Sequence, residues 1–294
     1  MHVGKSYGLS EFVIWTRREI FVLLAWGMVP VSLYYFLGVK WLAIPWIVVG
    51  LIGTATAFIV GFKNTHTYNR TLDAQQVWAS ILSASRAWGL MSRDYLKNGE
   101  KARELVYRHL AWATALRYQL RRRRPWESLI SANVEYQATY YSVPENESSL
   151  ESELEKYLSA EELNYAMATR NKATRVLGLQ SLAIKRLYES GEIPINFFVE
   201  MEKGIKEFLD YQGKSERIKN LPYPRQYAIV SNIFVAVFCF LLPFGLLHEF
   251  DALNAIATGW LRGHMVWFVV PFSTGGLLAL LIAHAGRRKY GEPL

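Results

Sequence analysis

Cysteine is almost missing from this chain, with Cys239 alone among 294 residues. An intrachain disulfide is therefore excluded, as is a zinc site built from thiolates. Cys239 sits inside an apolar run and is expected to pack as a small buried hydrophobe. The six histidines, at 2, 66, 109, 248, 264 and 284, show no metal-ligand spacing. No phosphate-cradling glycine loop, no G-x-S-x-G and no acid pair within an apolar run occurs. Nothing here indicates an enzyme, and no cofactor or metal is expected. Alternating strand patterns are also scarce, so the chain reads as all-α.

Charge is missing from four long stretches, Ile20–Leu37, residues 41–62, Tyr227–Leu247 and Met265–Ala285. Each is long enough to cross a hydrocarbon core of about 30 Å as a helix. A soluble protein with very apolar core helices is the rival reading, and so many uninterrupted runs speak against it. The first run is too long for a signal-peptide core and lacks a small-x-small cleavage site. Only Gly38-Val39-Lys40 separates the first two runs, which predicts a tight antiparallel hairpin. Pro222 and Pro224 predict an extended approach to the third.

What charge there is lies elsewhere. Of the 33 Lys and Arg residues, 25 fall between 63 and 226. Arg17 and Arg18 precede the first run, and Arg287, Arg288 and Lys289 follow the fourth, while the proposed outer loops hold only Lys40 and Arg262. By the positive-inside rule the protein is multi-pass in the cell inner membrane, with both termini and the centre cytoplasmic. The expected parts are a cytoplasmic segment 1–19, transmembrane helices 1 and 2 in 20–62, a helical cytoplasmic region 63–226, transmembrane helices 3 and 4 in 227–285, and a basic tail 286–294. The central region carries 20 acids against its 25 bases, so the net charge of +8 does not point to nucleic acid. Within it, helices are predicted over Ala74–Leu96, Glu100–Arg124, Glu151–Glu189 and Ile195–Tyr211, with Asn133–Ser149 a loop or short excursion. Arg121–Arg124 reads as favourable charge at a helix C-terminus, with anionic lipid headgroups as the alternative partner.

Inside the 41–62 run, WLAIPWIVVGLIGTATAFIVGF, the residues Thr54, Phe58 and Phe62 recur every fourth position and share one helix face. Such a stripe is either a packing seam, helped by the small Gly50 and Gly53, or the wall of a pore.

The segment IGTATAFIVGFKNTHTYNRTLDAQQVWASILSASRAWG (52–89), with LPYPRQYAIVSNIFVAVFCFLLPFGLLHEFD (221–251) and WFVVPFS (267–273), resembles the bestrophins, specifically a bacterial homologue. The resemblance runs over nearly the whole chain and implies a homopentamer around a central pore. It places the membrane neck at Thr54, Phe58 and Phe62, and a cytoplasmic constriction at Asn196, with Ile195 and Phe197 as its neighbours. Thr54 departs from the aliphatic residue common at its place, which implies a wetter outer ring. The tail AGRRKYGEPL lacks the acidic cluster of the family's calcium clasp, so calcium ligation is not expected.

The function implied is a passive channel for monovalent ions. Anions such as chloride are favoured by ring edges of positive partial charge and by the basic interior region. Cation selectivity stays open, as does a non-conducting membrane scaffold. A secondary transporter is disfavoured because no ionisable group lies mid-span. The expected partners are further copies of the chain, membrane lipids and the permeant ions.

Overall fold

The computed structural model describes residues 9–122, 124, 144–221 and 223–256. Among these the elements are helical throughout: α1 (Leu9–Phe36), a 3-10 turn (Lys40–Leu42), α2 (Trp46–Tyr95), α3 (Gly99–Arg121), α4 (Pro144–Glu147), α5 (Leu150–Leu154), α6 (Ala160–Met167), α7 (Lys172–Glu189), α8 (Ile195–Asn220) and α9 (Arg225–Ile256). The fourth predicted span, residues 265–285, and the segment 286–294 lie outside the described residues. Two compact units are present. The apolar one holds the described chain up to His66 and from Tyr223 onward, and the polar one starts at Thr67 and holds the chain between them.

Several boundaries differ from the sequence reading. The second span begins at Trp46 rather than 41, because Pro45 has no N–H to give a helix and restricts the residue before it. The link between the first two spans is accordingly longer than the three residues expected. It turns at Gly38, whose φ of 67° suits a residue without a Cβ. Nor does α2 stop at the polar GFKNTHTYNR stretch; it runs on without interruption to Tyr95. Thr65 and Thr71 donate their hydroxyls to the carbonyls of Gly61 and Thr67, so these polar side chains are absorbed by the helix instead of breaking it. At 1.5 Å per residue α2 is about 75 Å long, more than twice a hydrocarbon core.

The long helix expected over Glu151–Glu189 is three helices. Ser149, Ser159 and Asn171 each accept a first-turn amide, from Ser152, Glu162 and Thr174, and so open α5, α6 and α7 separately. In the same way Asn98, between the helices predicted over Ala74–Leu96 and Glu100–Arg124, accepts the amide of Glu100 at 2.9 Å and starts α3. The helix predicted over Ile195–Tyr211 continues to Asn220. Arg121 closes α3 and Arg122 caps it, where positive charge complements the C-terminal dipole.

In the apolar unit, Leu23, Val49, Val60, Val235, Phe238, Cys239 and Leu242 form one buried cluster, so Cys239 packs as expected. Helices α2 and α9 meet through glycines: a Cβ on Gly53 would lie 2.8 Å from the Phe238 ring, and one on Gly245 2.7 Å from Val49 Cγ2. Each glycine thus makes room for a side chain of the facing helix, Phe238 at Gly53 and Val49 at Gly245. Thr56 Oγ1 bonds Ile52 O at 2.8 Å and reaches Phe234 O on α9 at 3.4 Å. Trp26 of α1 stacks on Phe240, ring centroids 4.8 Å apart.

Candidate pore-lining surface

Helix α2 has two opposite faces within the apolar unit. Val49, Thr56, Val60 and Lys63 are buried. Thr54, Phe58 and Phe62 are exposed on the other side, Phe58 by 65% and Phe62 by 74%. Ile47 and Leu51 extend the same exposed surface. Burial of one face against α9 therefore turns the predicted stripe outward, where it is exposed among the described residues. Thr54 Oγ1 donates to Gly50 O at 2.9 Å, which commits its proton. The surface accordingly offers mostly methyl and ring carbon, with no charge and no free Thr54 hydroxyl proton, so an anion facing it finds little replacement for its water.

The second candidate lies in the polar unit, where α7 turns into α8. Helix α7 ends in a Schellman arrangement: Glu192 N–H bonds Leu187 O and Gly191 N–H bonds Tyr188 O, both at 3.0 Å, with Gly191 at φ 73°. Ile193 then inserts into the core, and α8 begins at Ile195 behind Pro194, without a side-chain cap. The three predicted constriction residues separate here. Ile195 and Asn196 are exposed, whereas Phe197 is half-buried and stacks on Tyr95 at 4.0 Å and 8°. Hydrogen bonds from Lys101 and Ser190 hold Glu192 below the usual carboxylate range.

Sequence reasoning missed two supports of this unit. Arg70 of α2 donates to Leu221 O at 2.7 Å and to Ile218 O, closing the C-terminus of α8 just before the proline-rich approach to α9. Ordering alone held no signal for it, since the partners are some 150 positions apart. The other is His109, packed among the rings of Trp88, Trp112 and Phe208, with Nε2 2.9 Å from Ser85 Oγ. Among the described residues no group of three side chains is arranged to hold a metal ion.

Burial pushes the His109 imidazole down to about 4. The unfolded chain takes up this proton near pH ~6.5 and the folded chain only near pH 4, so acid favours unfolding between the two. Stability from keeping His109 neutral is complete above the unfolded value and is lost as pH falls toward the folded one. Between about pH 7.5 and about pH 5 the loss is expected to be about 2 kcal/mol. Thermal unfolding in detergent, compared with His109→Gln, measures it; equal pH slopes for the two proteins would show that His109 is not the group responsible.

The family described as Bacterial/Fungal Bestrophin protein matches residues 12–262. The voltage-dependent anion channel-forming protein YneE of Escherichia coli K12 is 26% identical over 215 residues, which is 72% of this chain and 61% of that protein. The chain thus spans about three fifths of the length of that relative. The voltage-dependent anion channel-forming protein RSc3414 of Ralstonia nicotianae is 24% identical over 260 residues, 83% of this chain and 76% of that protein. In fold, the crystal structure of a bacterial bestrophin homologue from Klebsiella pneumoniae matches with a TM-score of 0.70 at 21% identity, covering 96% of this chain and 90% of that one. With most of its length matched to the family and its helices following the same fold, this chain is an all-helical membrane protein of the bacterial/fungal bestrophin family.

Proposed function

We propose that five copies of this chain assemble around a central pore that passes monovalent anions such as chloride across the cell inner membrane, with both termini cytoplasmic. The neck is lined by Thr54, Phe58 and Phe62, and a second constriction, at the cytoplasmic end, by Asn196 with Ile195 beside it. The observation that carries this reading is the outward, uncharged ring surface of α2. Two phenylalanines exposed by 65% and 74% in one chain need a covering of lipid, protein or pore water. Their helix also extends far beyond what a bilayer can bury.

Five such rings form a hydrophobic constriction that admits ions sparingly and can dewet. Three features favour anions: phenylalanine edges of positive partial charge, the +8 net charge of the chain, and the positive dipole end of α8 next to Asn196. The relatives named as voltage-dependent anion channel-forming proteins agree with that sign.

Purified protein in planar bilayers under a potassium chloride gradient provides the test. A reversal potential close to the chloride equilibrium potential is the expected result. A value near the potassium potential would keep the pore and reverse its selectivity. No current from protein of pentameric mass would leave the α2 stripe as a packing face in a scaffold.

A further inference from the structure

The turn between α7 and α8 is tied down at three points before it presents Asn196. Ile193, 2% exposed, plugs the core of the polar unit. Phe197 lies flat on Tyr95, in the last turn of α2. Glu192 Oε1 receives the ammonium of Lys101, from the first turn of α3, at 2.5 Å, and the hydroxyl of Ser190 at 2.8 Å. The first two ties are apolar and anchor the residues on either side of Asn196. The third is an ion pair whose side chains stay 42% and 35% exposed, where such pairs contribute little to stability. Its effect is directional. Gly191 is a pivot without a Cβ at φ 73°, and a carboxylate bonded from both sides fixes the course of the chain leaving that pivot. Asn196 follows four residues on, at the start of a rigid helix.

We infer that Lys101 and Glu192 are positioning residues for the Asn196 ring, their ion pair setting the width of the cytoplasmic constriction and hence its discrimination between small and large anions. The inference rests on the constriction proposed above. With the two apolar anchors kept, neutralising either end removes the polar tie that orients the turn after Gly191, and a small shift of the first turn of α8, repeated in each proposed subunit, alters the whole aperture.

The experiment compares full-length variants in planar bilayers, reading bi-ionic reversal potentials for chloride against gluconate. Asn196→Ala comes first and is expected to lower the chloride preference; an unchanged ratio overturns the constriction and this inference with it. Given that change, Glu192→Gln and Lys101→Met are each expected to shift the permeability ratio about twofold, and the double variant no further than either single one. The exchanged pair Lys101→Glu with Glu192→Lys is expected to return the ratio toward that of the parent. Unfolding temperature and oligomer mass should stay unchanged, which separates positioning from a structural role. A ratio altered by Asn196→Ala but not by the two neutralised variants, or no recovery on exchange, overturns the positioning role and leaves the constriction standing.

Discussion

Replacing Phe58 and Phe62 together by alanine is expected to raise single-channel conductance about tenfold, because a barrier lowered by only about 1.4 kcal/mol is worth that factor in rate. The basis is the outward placement of both rings on an uncharged helix face, with the hydroxyl protons of Thr54 and Thr65 committed to Gly50 O and Gly61 O. In the proposed five-fold pore the rings narrow the path and supply little in exchange for an ion's water. Alanine removes both the obstruction and the apolar wall while keeping a good helix former in α2. Selectivity should weaken alongside, since the wider neck lets ions keep more of their hydration. Single-channel recording on the double variant decides the matter; conductance equal to that of the parent would place the limiting step away from these rings.

Trp112→Ala carries the largest expected loss of stability. The Trp112 side chain is fully buried, and its rings lie 4.9 Å from Phe208 and 5.2 Å from His109. Its Nε1 donates to Gln212 Oε1 at 3.0 Å. The nitrogen of the same amide lies 2.8 Å from Thr174 Oγ1 and 2.7 Å from Glu216 Oε1, and Glu216 is also reached by Gln119 and Asn171. Truncation therefore empties a large site, about 3–5 kcal/mol. It also strands a buried acceptor, about 1–3 kcal/mol more. Set against a usual total of about 5–15 kcal/mol, the variant is expected to fail to accumulate as folded protein. Trp112→Phe keeps ring volume and loses the hydrogen bond; combining it with Gln212→Leu should cost less than the two single changes summed. The yield of folded protein reads Trp112→Ala, and thermal unfolding of the detergent-purified protein measures the milder variants. A Trp112→Ala protein melting alongside its parent would refute the role assigned to this network.

What the sequence disclosed, and what it hid, divides along the range of the interactions. Charge-free runs and their basic flanks are local, and they were legible as membrane helices. The exposed stripe of Thr54, Phe58 and Phe62 was legible too, because a repeat of four shows without tertiary knowledge and α9 merely buries the reverse face. The caps at Ser159 and Asn171 were readable in principle, Ser159 and Glu162 forming the pattern of a capping box, yet the apolar repeat running across them suggested one helix. The continuity of α2 past Phe62 was hidden because Thr, Asn and His usually mark a turn, and only their bonding back to the helix shows otherwise. Which of Ile195, Asn196 and Phe197 stands free depends on Tyr95, roughly a hundred residues away, and local pattern holds no trace of that. The Trp112–Gln212 bond is of the same kind.

The lone Cys239, 7% exposed and packed against Val235 and Leu242 in the apolar unit, has a practical consequence. The chain is close to a natural blank for thiol chemistry. A cysteine introduced at Phe62 or Asn196 meets a water-soluble methanethiosulfonate reagent almost without competition. Reagents of opposite charge then read the local potential at each position, through the sign of the change in current as the label arrives.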